Sequence, residues 1–445
     1  MSSVLPFDIS ALIIDIIAEN KDTDLLKELA LVSHSFHQIC SKHLFATVEL
    51  HSALPGLNIA SSKKGFVKLL NSRPDVVRYI RKLTYKLESH GDREVVCDDD
   101  DREEDCDEDE SPPSFDNEDD LLSPMLPNFL RTISFLNCFI IDTSNGSHSS
   151  DWNRLNSSLT SAFLHLMHLP TIKHIDLSFI SEFPLSSLTS SVNLRRLDIS
   201  RVKHFSTYGK DEILQSLPKI REFHTSGSLY STTITTLLHA KRPDGRPAFN
   251  FMDLRRVSMP LTESVHEKNI RYLLQNAKLL EKLNLSVRLD RLVGLHEILS
   301  PIAPSLKVLD LKVFLSYNYL PLLDPSAVLC EELEAMAGHN ILEALSFFSN
   351  VCYREVSDSV AEGYIGYAIQ KVEKVLVKSG WSALRQVFFI FSFECYGKEI
   401  MADIAKLQEA LQFLRDKYLN ISKLEFDTEI FPFYAVYNVK CELEF

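Results

Sequence analysis

The chain has 445 residues, 45% of them hydrophobic, with 47 Lys and Arg against 61 Asp and Glu for a net charge of -14. That apolar content supports a large buried core and excludes a chain disordered throughout, while the length suits two or three domains or one elongated repeat architecture. No apolar run approaches 18 residues, so no membrane span is expected. The acid excess is local: Asp98 to Asp120 hold 15 acids and one base, Arg102, leaving 46 acids and 46 bases elsewhere. Without a basic field or stripe, no nucleic-acid partner is expected.

The first apolar segment is preceded by no Lys or Arg and is interrupted by Asp8 and Asp15, unlike a signal peptide. The eight cysteines are scattered without a C-x-x-C pair, which fits reduced thiols and a cytoplasmic or nuclear location, or both. Ile9, Leu12, Ile13, Ile16 and Ile17 recur at helical spacing and predict an amphipathic helix. After the polar break "ENKDTD", Thr23 or Asp24 is placed to cap a second helix. Leu25, Leu26, Leu29, Val32, Phe36, Ile39 and Cys40 form its apolar stripe. Within it "LVSHSFHQIC" offers two histidines and a cysteine. His34 and Cys40 lie about 120° apart around such a helix and about 9 Å apart along it. They cannot share an ion or a proton, so no metal site is expected and Cys40 is read as core. "HLFATVEL" then turns to a period of two, a strand.

From there one phrase recurs: apolar-x-x-apolar-x-apolar. It stands at Ile80/Leu83/Tyr85, Leu130/Ile133/Phe135, Ile172/Ile175/Leu177, Leu194/Leu197/Ile199, Ile220/Phe223/Thr225 and Leu254/Val257/Met259. It continues at Leu280/Leu283/Leu285, Leu306/Leu309/Leu311, Leu342/Leu345/Phe347, Leu384/Val387/Phe389 and Ile421/Leu424/Phe426, and Phe45/Val48/Leu50 is a candidate twelfth copy. Helical segments such as "LNSSLTSAFLHLMHL" and "ESVHEKNIRYLLQNA" fill many intervals. Strand then helix, repeated, predicts a right-handed α/β solenoid rather than an ordinary parallel α/β domain. The acidic run interrupts the series and is expected to be a solvated loop without the EF-hand spacing. Ser111 and Ser123 in or beside it each precede proline and are candidate phosphorylation sites.

Between the apolar marks, strand residues face outward. Those positions are polar at Asp176, Ser178, Arg196, Asp198, Asn284 and Asp310, and turn apolar at Phe348, Phe388 and Ile390. The apolar trio is either a partner-binding patch or a surface covered by the tail "IFPFYAV" (Ile430 to Val436) acting as a terminal cap. No phosphate-binding, zinc-protease or nucleophile-elbow motif is present, and 13 glycines leave little for phosphate-cradling loops. His165 and His168 are read as polar members of a helix. Neither enzymatic activity nor a cofactor is expected.

The N-terminal residues resemble the F-box family. Leu5-Pro6 matches its opening, Ile9 to Ile17 its first helix, "DLLKELALVSHSFHQIC" its second and "HLF" (His43 to Phe45) its end. Phe36, Ser33 and Asp8 stand where the family commonly has Trp, Cys and Glu. The rest resembles the divergent leucine-rich repeats that often follow an F-box in fungal proteins. "FVKLLNSRPDVVRYIRKLTYKL" looks like a first such repeat, while only Cys138 and Asn350 hold the Asn or Cys usual after the strand. The resemblance implies an α/β fold with an α-helical F-box at 1–46, first repeats at 47–97, the acidic loop at 98–124 and a solenoid with its cap at 125–445. It implies an adaptor of a cullin–RING ubiquitin ligase, whose F-box docks on a Skp-type linker through Leu5, Pro6, Ile9, Leu26, Val32 and Phe36. The repeats would hold the substrate protein. The alternative is a repeat scaffold whose F-box-like segment only caps the solenoid. Exposure of the outer apolar residues distinguishes a docking surface from a cap.

Overall fold

The computed structural model describes residues 7–51, 73–87, 125–143, 150–206, 217–226, 231–242, 244–288, 291–315, 325–338, 340–353, 371–372, 374–376, 380–396, 421–430 and 434–444. Leu5, Pro6 and the acidic run with its two candidate phosphorylation sites lie outside them. The fold is mixed α/β. Among the described residues no helix is long and apolar enough to cross a membrane. The chain divides into two compact units, Met1–Pro218 with His239–Phe249, and Lys219–Leu238 with Asn250–Phe445.

The first unit opens with three helices, α1 (Phe7–Glu19), α2 (Thr23–Ala30) and α3 (His34–Leu44). The single second helix expected from the sequence is therefore two. Ser33 is extended and its Oγ accepts from Phe36 N at 3.2 Å, starting a new helix where the old one stops. The cap of α2 is neither Thr23 nor Asp24 but Asp22, whose Oδ1 accepts from Leu25 N at 3.0 Å. Ile14, Leu26, Ile39 and Cys40 meet in the core of this cluster, with Ala11, Ile17, Ala18, Leu29 and Phe36 packed around them. Cys40 is buried as expected, and that burial pushes its thiol pKa up.

The same unit continues through β1 (Thr47–His51), β2 (Lys82–Lys86), β3 (Cys138–Asp142), β4 (Ser150–Asp151), β5 (His174–Ser178), β6 (Ile180–Ser181), β7 (Phe183–Pro184), β8 (Arg196–Ser200) and β9 (Phe205–Ser206). β1, β2, β3, β5 and β8 lie side by side in chain order, all parallel, and the short strands pair as β4–β6 and β7–β9. Their register stacks Leu83, Phe139, Ile175 and Leu197 in one row and Tyr85, Ile141, Leu177 and Ile199 in the next, all buried. Helix Ser157–Met167 covers the rows with Phe163, whose ring meets Tyr85 at 5.0 Å and Phe139 at 5.5 Å. Each such burial contributes about 1.5–3 kcal/mol. The phrase at Leu130 stands six residues ahead of its strand. Leu130 belongs to helix Met125–Thr132 and Phe135 is exposed, while the strand carries Leu136/Phe139/Ile141. Cys138 is accordingly the first residue of β3 and not a turn residue after a strand.

In the second unit β10 (Glu222–Ser226), β11 (Arg256–Leu261), β12 (Lys282–Arg288), β13 (Val308–Leu315), β14 (Ala344–Tyr353) and β15 (Gln386–Tyr396) again run parallel in chain order. Phe223, Val257, Leu283, Leu309, Leu345 and Val387 form one buried row. The sheet then changes sense. β16 (Ile421–Ile430) takes the edge and β17 (Tyr434–Glu444) fills the place between it and β15, antiparallel to both. The Ile421 phrase is thus part of a hairpin rather than a further parallel copy, and Asn350 lies inside β14, not after it.

One backbone contact recurs at strand entries. The carbonyl before many of the long parallel strands accepts two N–H groups from the next: Arg81 O from Asn137 N and Cys138 N, Asn137 O from Lys173 N and His174 N, Lys173 O from Arg195 N and Arg196 N. In the second unit the carbonyls of Arg221, Arg255, Glu281, Lys307 and Glu343 do the same. A second device joins helices. Gly294 sits at φ 81°, where L side chains are strained, and its helix Leu295–Leu299 has no cap from its own side chains. Glu332, from helix Pro325–Met336, supplies one by accepting from Gly294 N at 2.6 Å and from His296 N and Nδ1 at 2.8 Å each. Glu332→Ala leaves these part-buried donors without that acceptor, and a loss of about 1 kcal/mol is expected in urea denaturation of the full chain. Glu332→Gln, which keeps an acceptor oxygen, is expected to lose less.

Candidate functional site

Two surfaces of the first unit have arrangements that packing alone does not call for. The first is on the N-terminal helices. Helix α1 turns Ile14 and Ile17 to the cluster core and leaves Phe7, Ile9, Leu12, Ile13 and Ile16 exposed, Leu12 at 60%. Just past α2, Leu31 at 87% and Val32 at 68% are more open still. His43 Nε2 meets Asp15 Oδ1 at 2.8 Å and ties α3 to α1. An apolar face of this extent is large for a solvated surface. Of the residues expected to contact a linker, Ile9 and Val32 are on the open face. Leu26 is 3% exposed and belongs to the core, and Phe36 is partly buried against it. Both knit helices together. Leu5 and Pro6 lie outside the described residues.

The second surface was not foreseen. On the outward face of β3, β5 and β8, Cys138 Sγ lies 3.1 Å from His174 Nδ1, and His174 Nε2 lies 2.9 Å from Asp198 Oδ2. Arg196 grips both Asp198 oxygens, its Nη2 at 2.8 Å and its Nε at 3.0 and 3.1 Å. Asp176 stands beside them and accepts from Ser178 Oγ at 3.3 Å. Parallel register builds the group: Cys138, His174 and Arg196 occupy one row, Ile140, Asp176 and Asp198 the next. Donor atoms of His174, Asp176 and Asp198 fall within 4.8 Å of one another, the span of a metal site. Those atoms are already committed, however. A divalent ion on Asp198 would sit against the fixed charge of Arg196, so the group reads as a closed ion-pair relay.

Its electrostatics follow from burial and pairing. Burial opposes charge on His174, but the hydrogen bonds to Asp198 and Cys138 outweigh it and raise its pKa to about 9. Burial likewise pushes Asp198 up, yet His174 and Arg196 hold it below the usual carboxylate range. At Asp176 burial and the Asp198 charge outweigh the opposing pull of His174 and Ser178 and raise it to about 6.

The apolar trio of the second unit lies on two neighbouring strands. Phe348 on β14 is the register partner of Ile390 on β15, Phe388 follows two residues earlier on β15, and all three are half-buried. Lys312 Nζ lies 5.8 Å from the Phe348 ring centroid. The tail does not arrive as a separate cap: Tyr434 to Val436 enter β17, beside β15 in the sheet. Residues 431–433 lie outside the described residues. The outward polar positions are also as expected, and Asp310 pairs with Lys282 at 2.8 Å.

No known family model matches the chain, and no curated protein matches it either.

Asp176 provides a pH signature. Its folded pKa exceeds the unfolded value near 3.8, so its contribution is fully present below about pH 4 and is lost as pH rises through about 6. Asp176→Asn removes that loss. Thermal unfolding of the two chains across pH 4–8 is expected to show little difference at pH 4. Above pH 6 the variant should gain on the order of 2 kcal/mol, allowing for solvent screening.

Proposed function

We propose that this protein is the substrate-recognition adaptor of a cullin–RING ubiquitin ligase, with its N-terminal helices docking on a Skp-type linker and its strand-and-helix body acting as a leucine-rich-repeat solenoid that binds the protein to be ubiquitylated. The observation that carries the reading is the unburied apolar face of α1 and the α2–α3 junction. A helix apolar on two sides needs two surfaces to cover it. The cluster core takes Ile14 and Ile17, and Phe7, Ile9, Leu12, Ile13 and Ile16 are left for another. A capping segment would have its outer residues covered by the body of the protein, whereas among the described residues these are open. The helices of residues 7–44 span the stretch where that motif was noted, with its second helix broken at Leu31 to Ser33.

The contribution of such an adaptor is proximity, so no side chain here needs to make or break a bond in ubiquitin transfer. Burial of Leu and Ile in a groove of the linker drives the first contact. The half-buried trio Phe348, Phe388 and Ile390 is the surface assigned to the substrate, bordered by Lys312. The site of action is the cytoplasm, the nucleus or both, where cullin ligases work.

Leu12→Asp combined with Val32→Asp changes two exposed positions and should leave the melting temperature within a few degrees of wild type. It is expected to reduce recovery of the linker in affinity purification by at least tenfold. Undiminished recovery from a folded double variant rules the adaptor reading out. In the same experiment Phe348→Asp with Phe388→Asp should retain the linker and lose co-purifying substrate proteins. An unchanged set of those proteins removes the trio as the substrate surface.

A further inference from the structure

We propose that Cys138 is a reactive thiolate, activated by His174 and Asp198, and that it is a modification site for hydroperoxides. Nucleophile, base and orienting acid stand in line: Sγ to Nδ1 at 3.1 Å, then Nε2 to Asp198 Oδ2 at 2.9 Å. The carboxylate decides the tautomer. Asp198 is an acceptor held ionised by Arg196, so Nε2 must carry its proton towards it and Nδ1 presents its lone pair to the thiol. The thiol proton then passes to Nδ1, giving a thiolate against an imidazolium whose far side is already neutralised.

A second observation lies on the other side of Cys138, where Lys82 holds the matching position of β2. The acids that face the pair stand in other rows: Asp176 and Asp198 in the next, Asp142 in the one after. Thiolates are favoured among neighbouring cations. Cys138 is partly exposed, unlike the fully buried Cys40, and a small peroxide is the kind of oxidant that suits a partly covered sulfur.

The reaction balances without a cofactor. The thiolate sulfur attacks the terminal oxygen of the hydroperoxide, forming an S–O bond and breaking the O–O bond. The departing alkoxide, or hydroxide from hydrogen peroxide, takes the proton from His174 Nδ1. Sulfur is oxidised by two electrons to sulfenic acid and the peroxide is reduced to an alcohol or water. His174 returns neutral.

The test uses the full chain. Iodoacetamide labelling of each cysteine is followed by peptide mass spectrometry from pH 5.5 to 9.5, and hydrogen peroxide with dimedone is applied at pH 7. Cys138 is expected to label at a rate nearly independent of pH above about 7, at least tenfold faster at pH 6.5 than Cys40, and to carry the dimedone adduct. Asp198→Asn should move its labelling profile up by a pH unit or more, and His174→Gln should abolish the low-pH rate, both at unchanged far-ultraviolet circular dichroism. An ordinary thiol profile at Cys138 in the wild-type chain, rising about tenfold per pH unit towards about 8.5, overturns the proposal. So does labelling that occurs only in urea, or a folded Asp198→Asn chain with the wild-type profile. Should either variant fail to fold, the wild-type profile decides by itself.

Discussion

Much of this structure depends on the carbonyl that stands just before a long parallel strand and accepts two N–H groups from the strand that follows. At Arg81, Asn137 and Lys173 in the first unit, and at Arg221, Arg255, Glu281, Lys307 and Glu343 in the second, that contact sets where the next strand begins. Once the start is set, parallel pairing carries the same register along the strand, and neighbouring strands lie about 4.8 Å apart. Equivalent residues are then forced into rows. Inward rows bury Leu83, Phe139, Ile175 and Leu197 or Phe223, Val257 and Leu283. Outward rows are forced together by the same pins, whatever their chemistry. The Cys138–His174–Arg196 row is a product of register as much as the hydrophobic core is.

That origin explains which parts were legible in the sequence. Strand residues alternate, and a phrase with apolar marks two apart identifies a strand when its middle is polar. Ten of the strands carry it where expected. The third did not, because apolar-x-x-apolar is also helical spacing and Leu130/Ile133 ends a helix that way. The six-residue error took Cys138 out of its strand. With Leu136/Phe139/Ile141 as the marks, Cys138 aligns with His174 and Arg196 by simple counting. The signal was there, hidden behind a competing period.

The N-terminal helices show a different limit. Ile9, Leu12, Ile13, Ile16 and Ile17 form one stripe of α1 in sequence, yet of these only Ile17 packs on the helical core. Ser10 and Ile14 are buried there instead, with Ala11 and Ile17 packed against the cluster. The unbroken run from Leu25 to Cys40 likewise concealed the break at Leu31 to Ser33. Periodicity is continuous across it, and only the capping hydroxyl of Ser33 marks the new start. Periodicity reports which residues are apolar together, not what covers them.

The pins at strand entry have one more consequence, for how such a chain tolerates change over time. They fix the first residue of a strand and leave the length of the preceding connection free. The path from Ser178 to Arg196 takes 17 intervening residues, and that from Lys86 to Cys138 takes 51, between strands that are equally adjacent. Closing a longer loop costs only slowly more entropy. Whole segments can therefore enter or leave a connection with the sheet undisturbed, whereas one residue gained inside a strand exchanges its two faces. An insertion after His174 would send Ile175 outward and bring a polar side chain into the aromatic core. Insertions and deletions should accumulate in the connections by tens of residues and be purged from the strands one at a time.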